Sequence, residues 1–380
     1  MEQIVPWLAL KSVPGIGNLM FNRLVGDIGS PQAVLRASSK RLSQVSGMTP
    51  RLVQAIRGYR CPDWVFMELE RCAKKGFRII TQTSPDYPAL LLHIPDPPPV
   101  LYCYGALKDA QCHIAVVGSR KATAYGTINA KSLAEELAAN GIGVVSGMAR
   151  GIDTAAHIGA LEGGGRTIAV LGSGLECVYP AENLKLFHRI AENGGVISEF
   201  PLDAKPEPHH FPQRNRIISG MALGTVVVEA ADGSGSLITA RLAAEQGREV
   251  FAVPGSIHAA TAQGTHSLIR QGAKLVENAG DIIEEIAPQF SAPPNRPTAP
   301  KSARPCHEAP GPGLLSTEES RLLEAMGPYA VHIDELTRRC NLEIGTVSAI
   351  LLQLELKGAV VQEPGKFFHA LPMEKIDRVK

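Results

Sequence analysis

Four glycine-rich turns carry the side chains best suited to holding an anion. The first runs Val117-Gly118-Ser119-Arg120-Lys121-Ala122-Thr123-Ala124-Tyr125-Gly126. Gly118 lets the backbone come close, Ser119 offers a hydroxyl, Arg120 a bidentate fork, and a following helix start adds N–H groups, which together make a phosphate cradle. The second, Ser146-Gly147-Met148-Ala149-Arg150-Gly151-Ile152-Asp153, repeats the scheme with Gly147 and Arg150, and the third is Gly172-Ser173-Gly174-Leu175-Glu176. The fourth, from Gly233 to Thr239, presents Gly235, Ser236 and Thr239 as a helix opens. The connecting Phe211-Pro212-Gln213-Arg214-Asn215-Arg216 adds the guanidinium groups of Arg214 and Arg216 and the amide of Asn215, and Lys185, on a helix after Tyr179-Pro180, has the reach to join them. One such turn is ordinary strand-to-helix geometry. Four at one edge, two of them with Arg, point to a polyanion groove.

Other chemistries lack their parts. No G-x-G-x-x-G, Walker Lys-Ser/Thr pair or acidic ribose reader accompanies these turns, so dinucleotide binding is not expected. Asp153 precedes Thr154-Ala155-Ala156 and reads as a helix cap rather than a general base, while Glu229 ends a buried strand and reads as the partner of a nearby Arg. His209-His210 lacks a third ligand at useful spacing, so no metal is expected, and neither a catalytic residue nor a cofactor is assigned.

The elements that must position these turns alternate. Apolar runs with little polar interruption read as strands buried on both faces: His113–Val117, Gly143–Val145, Thr167–Leu171, Val196–Ser198, Thr225–Glu229, Glu249–Val253 and Lys274–Val276. Apolar spacing of three and four marks helices at Tyr125–Asn140, Ile152–Glu162, Leu184–Glu192, Leu237–Gln246 and Thr265–Gln271. Such alternation predicts an α/β fold with a doubly wound, mostly parallel sheet, whose ligands sit at the carboxyl ends of the strands.

At 380 residues, with 44% hydrophobic and 20% charged, the chain is long enough for two or three domains. Pro-rich punctuation near residues 85–99 and eight prolines between Pro288 and Gly313 set the expected limits: a small front domain over 1–85, the α/β domain over 86–287, an extended linker over 288–313 and a last unit over 314–380. Ser316-Thr317-Glu318-Glu319 is a capping box, helices fit Ile333–Cys340 and Ile344–Lys357, and a hairpin fits around Pro364-Gly365, which together describe a winged helix. The front domain holds Val13-Pro14-Gly15-Ile16-Gly17 and Val45-Ser46-Gly47-Met48, Gly turns entering helices as in helix-hairpin-helix elements; such turns face a phosphate, pack helices or bind protein.

Net charge is +1, split as +5, −4, +2 and −2 over residues 1–110, 111–287, 288–313 and 314–380, so an anion site in the second block rests on a few converging cations. Seven irregularly spaced cysteines support neither a disulfide framework nor zinc and fit a reducing compartment. With no basic leader at the amino terminus and no apolar run near the ~18 residues of a membrane span, a cytoplasmic protein is expected. Aromatic residues are 5% of the chain, so weak base preference is expected of any nucleic-acid site.

The motifs, in this order, resemble the DNA-processing protein A family (DprA/Smf). They are Gly118-Ser119-Arg120 with Tyr125-Gly126, Ser146 to Asp153, Val178-Tyr179-Pro180, Ser198-Glu199-Phe200-Pro201, Phe211 to Arg216, Ser234 to Ala240, and Gly264-Thr265 with Gly272-Ala273. The likeness spans residues 111–287. It implies an extended Rossmann-like domain with a SAM or helix-hairpin-helix module in front and a winged helix behind. It further implies a homodimer that binds single-stranded DNA, protects incoming strands and helps load the RecA recombinase in natural transformation. Carried over, Gly118, Ser119 and Arg120 would hold phosphate. Gly147, Arg150, Lys185, Arg214, Asn215 and Arg216 would line the groove, with Gly235, Ser236 and Thr239 opposite. The alternative is an enzyme resembling nucleotide phosphoribohydrolases of the lysine-decarboxylase-like group, whose Gly-rich turn is followed by a Glu. Here Ala240-Arg241 follows instead. A winged-helix transcription regulator is disfavoured because residues 314–380 are net negative and the third helix shows Glu343, Gln353, Glu355 and Lys357 where a duplex reader shows Arg and Lys.

Overall fold

Continuous runs of Val, Ile and Ala leave no polar face for water, so they form strands only where helices cover both sides. The computed structural model, which describes residues 3–107, 112–289, 316–327, 330–357, 359–363 and 365–370, shows such a sheet. Six helices come first: α1 (Val5–Lys11), α2 (Asn18–Ile28), α3 (Pro31–Arg36), α4 (Ser39–Ser43), α5 (Pro50–Arg57) and α6 (Asp63–Lys74). The strands are β1 (Arg78–Thr81), β2 (Val100–Gly105), β3 (His113–Gly118), β4 (Gly143–Ser146), β5 (Thr167–Leu171), β6 (Gly195–Ser198), β7 (Gly224–Val228), β8 (Glu249–Ala252) and β9 (Lys274–Leu275). Between and after them lie α7 (Ala124–Ala139), α8 (Ile152–Glu162), α9 (Leu184–Asn193), α10 (His210–Gly220), α11 (Gly235–Glu245), α12 (Gln263–Arg270) and α13 (Ala279–Ile286).

The strand order is β1-β2-β6-β5-β4-β3-β7-β8-β9. From β6 to β9 every pairing is parallel, with Ala115 of β3 set between Val145 of β4 and Thr225 of β7. β1 and β2 join antiparallel at the β6 edge. The order reverses direction between β3 and β7, the switch point where ligands of doubly wound sheets bind. All seven expected strands are present, and the fold is the doubly wound, mostly parallel sheet that the alternation predicts, in the extended Rossmann-like form that the resemblance implies.

Side chains leave a strand on alternate faces. In β5, Ile168 and Val170 pack with Ile217, Ile218 and Ala240 of α10 and α11. Ala169 and Leu171 face the opposite core, with Leu186, Phe187 and Ile190 of α9 and with Trp7, Phe21, Leu24 and Leu69 of the front helices. The front helices and the sheet therefore share one core, and residues 1–122 and 126–289 fall in one compact unit. β1 precedes residue 85 yet pairs in the sheet.

Four elements of the sheet domain were not expected from the sequence. β1 and β2 flank the prolines of residues 85–99, which dominate the local reading, and α10 contains Pro212, which a helix tolerates in its first turn but not further in. The short α13 starts with a capping box between Asn278 and Asp281.

The last unit is built by itself from α14 (Thr317–Met326), β10 (Val331–His332), α15 (Ile333–Cys340), α16 (Ile344–Leu356), β11 (Val360–Glu363) and β12 (Phe367–Ala370). Ser316 and Glu319 form the expected capping box, and β11 pairs antiparallel with β12 as the wing. Leu322, Leu336, Val347, Leu351 and Leu354 make its core. The linker expected over 288–313 lies, beyond Gln289, outside the described residues.

Candidate nucleic-acid interface

At the carboxyl ends of β3 and β7 the turns open a groove of about 880 Å3. Its floor begins at Gly118, where a Cβ would overlap the Val228 carbonyl oxygen of the neighbouring strand and the Ile152 side chain. Only glycine lets β3 and α8 approach that closely. Ser119 follows and turns the chain by accepting the Lys121 N–H at 3.1 Å. Arg120 and Lys121 are exposed on the groove wall, and the Arg120 guanidinium stands over the Phe211 ring, 5.0 Å from its centroid.

Opposite them, Ser234 caps α11 by accepting the Ser236 N–H, and Gly233, Gly235, Ser236 and Thr239 line the other wall. A Cβ on Gly235 would meet nothing within 4 Å, so this helix start is open to a ligand. Its first-turn N–H groups and positive dipole end favour an anion there. Asn215 reaches across from α10, its Nδ2 3.4 Å from the Gly235 carbonyl. Two rings complete the groove: Phe211 and the half-exposed Tyr179, with centroids 5.8 Å apart. Both stood in the sequence motifs, but nothing in the spacing singled them out as the groove's aromatic surface.

The remaining expected residues divide. Arg214, at 3% exposure, lines the floor of the groove, donating to the carbonyls of Gly147, at 2.7 Å, and Val170. Burial lowers its pKa to about 10, with the Asp153 carboxylate opposing that shift. Asp153 does not cap α8 in the usual sense; its Oδ2 accepts the N–H groups of Gly147 and Ala149 at 3.2 and 3.3 Å and so shapes the second turn. Burial raises its pKa, against the pull of Arg214. Gly147 stands under this arrangement, and a Cβ there would overlap the Arg214 guanidinium.

Arg216 does not line the groove. It is buried among Glu199 and Asp96, with Nε 3.1 Å from Asp96 Oδ2. The reason is helical: residues two apart in an α-helix point about 200° apart, so when Arg214 lies under the groove Arg216 faces the front of the sheet. There Glu199 also accepts from Asn18 of α2 at 2.6 Å, tying the front helices down. Arg150 is exposed but paired two-pronged with Glu182, at 2.5 and 2.8 Å, and Lys185 is exposed on α9 away from the groove lining. Glu182 is held below the usual carboxylate range by Arg150. His209 and His210 acquire a neighbour that their sequence spacing was read to lack, the carboxylate of Glu207.

The comparisons with known proteins bear on this geometry. Residues 78–287 match the family described as DNA recombination-mediator protein A, residues 293–366 the DprA winged helix domain, and residues 8–57 a SAM-like helix-hairpin-helix tandem. The protein Smf of Synechocystis sp. is 36% identical over 386 residues, covering 94% of this chain and 96% of that one. The chain belongs to the DprA/Smf family. DNA processing protein DprA of Streptococcus pneumoniae is 45% identical over 201 residues, covering 53% of this chain and 71% of that one. A solved structure of that streptococcal protein covers 71% of this chain and 98% of its own, at 37% identity and a TM-score of 0.55. A structure of DNA processing protein A from Helicobacter pylori, solved for its single-stranded DNA binding mode, matches with 31% identity, a TM-score of 0.51, and coverage of 56% and 96%. Among the described residues no DprA/Smf helix of this chain is long and apolar enough to cross a membrane.

Proposed function

We propose that this chain binds single-stranded DNA in the groove at the β3/β7 switch point, without catalysing a reaction on it. The observation that carries the reading is the pairing of two wall types. An exposed Arg120 and Lys121 and an open helix start supply charge for a sugar-phosphate backbone, and Phe211 with Tyr179 supplies flat surface for bases. Single strands are held by that combination of cationic track and stacking surface. Duplex recognition would ask instead for an element projecting into a groove of the helix.

A binding role also suits the acids present. Asp153 is committed to two backbone N–H groups, and Ala240, at the position where the phosphoribohydrolase-like motif carries Glu, is on the buried core face of α11. In this reading the active form is a homodimer that shields incoming strands and helps load RecA during natural transformation, with Gly118, Ser119, Arg120, Asn215, Gly235, Ser236 and Thr239 facing the strand. The limits at 287 and 313 belong to the same reading, while the front limit expected at 85 moves ahead of β1, which pairs in the sheet. The test follows RecA filament growth on a strand already coated with single-strand-binding protein, with and without this chain. Faster growth that is lost with Arg120→Ala supports the reading. Unchanged growth, with the strand demonstrably bound, removes the loading role.

A further inference from the structure

Glu207, His209 and His210 meet where the chain after β6 enters α10. One ligand atom of each lies within 4.8 Å of the other two, and His209 Nδ1 is 3.4 Å from Glu207 Oε2. The His210 ring is stacked on Phe200 with centroids 4.0 Å apart, which fixes its plane, and its Nδ1 is buried with no hydrogen-bond partner. Pro206 and Pro208 interleave with the three donors and restrict the backbone that presents them. An exposed Glu–His ion pair contributes little to stability and calls for no second imidazole beside it.

Two imidazole nitrogens and one carboxylate oxygen suit a borderline transition ion rather than Mg2+ or Ca2+, which take oxygen ligands. The ligands of a tetrahedral Zn2+ stand about 3.4 Å apart at bond lengths near 2.1 Å. Closing from 4.8 Å is within reach of Glu207 and His209, whose side chains are 57% and 61% exposed. Three protein ligands leave a coordination position for an exogenous one. Pro206, Pro208 and Phe211, the chain neighbours of the donors, line the groove, so the cluster borders it.

We propose that Glu207, His209 and His210 bind one Zn2+ whose open position takes a phosphate oxygen of the strand. The first half stands on the cluster alone. The second rests on the single-stranded DNA reading given above.

The test has two arms. Calorimetric titration of the metal-free full chain with ZnCl2, without DNA, should show one site that weakens at least tenfold in His209→Gln and in Glu207→Gln, both exposed positions at which the fold has little to lose. The Co2+-loaded chain should lack thiolate-to-metal charge-transfer absorption, which separates this cluster from the cysteines. No saturable binding, binding that survives both substitutions, or a thiolate band would overturn the site. In the second arm, anisotropy of a labelled single strand is measured in EDTA and in Zn2+. Tightening of threefold or more by Zn2+ in the wild-type chain and not in His209→Gln supports the phosphate contact, and Zn2+ bound without tightening overturns it. Strand binding absent in both EDTA and Zn2+ would fail the groove reading instead, while the titration still decides the metal site.

Discussion

Replacing Arg120 by Ala separates binding from folding. The guanidinium is exposed, and its described contact is the face of Phe211, 5.0 Å away. An exposed cation–π contact is worth about 0.5–1 kcal/mol, so the variant should unfold in urea within ~1 kcal/mol of wild type. Hydrogen bonds to a charged group contribute about 1.5–3 kcal/mol, which sets the expected loss of strand affinity at roughly tenfold to a hundredfold. Losing one phosphate contact should also reduce the slope of log affinity against log salt by about 0.7. Fluorescence anisotropy of a labelled single strand at four or five salt concentrations reads both quantities. Wild-type affinity and slope in a folded variant would place the strand elsewhere. A fall in affinity with an unchanged slope would mean that Arg120 acts only by holding Phe211, and the phosphate assignment would fail.

Other outcomes follow from the same geometry. Glu182→Gln releases the exposed Arg150 from its two-pronged ion pair, so strand affinity should rise and the salt slope should steepen by about 0.7; no change on titration would leave Arg150 outside the strand's path. Arg214→Met removes the buried donor to the Gly147 and Val170 carbonyls and one of the charges that favour ionised Asp153, and unfolding in urea should show a loss of about 1–3 kcal/mol. Because burial raises the Asp153 pKa in the fold, the penalty on its charged form is present above that raised value and absent below the unfolded value near 3.9. The Arg214→Met deficit should therefore shrink as pH falls, and a pH-independent deficit would contradict the electrostatic coupling of Arg214 to Asp153. A chain cut near Ala292 should fold and bind a labelled strand within about tenfold of full length, ~1.4 kcal/mol, since the groove residues all precede the cut; a larger loss would put part of the site in the winged helix. Nucleoside monophosphates should yield no free base by chromatography, and steady release abolished by Glu229→Gln would favour the phosphoribohydrolase reading.

What could be read from residues alone divides along physical lines. β3 to β9 were legible because a strand covered on both faces carries its signal in each residue, as Ile114 to Val117 do, and no turn chemistry interferes. The antiparallel edge was not, since β1 and β2 flank a segment whose prolines dominate any local reading. The groove walls at Gly118 to Arg120 and Gly235 to Thr239 were legible because phosphate chemistry names its own residue types. The Phe211 to Arg216 segment was read as a connection, and a connection gives no reason to separate Arg214 from Arg216. Once it is a helix, periodicity sends one guanidinium under the groove and the other to Glu199 and Asp96. Arg150 shows a different limit, because a partner 32 residues away, Glu182, leaves no mark on local sequence.

The central claim is that the groove holds a single strand through its backbone and stacked bases. Anisotropy with a single-stranded oligonucleotide, the matching duplex and mononucleotides, each across a range of salt, tests it most directly. The account predicts tightest binding to the single strand, with a log–log slope of several times 0.7 and weak dependence on base sequence, and much weaker binding to the duplex and mononucleotides. Equal or tighter binding to duplex, or saturable binding of a mononucleotide that displaces the strand, would contradict it.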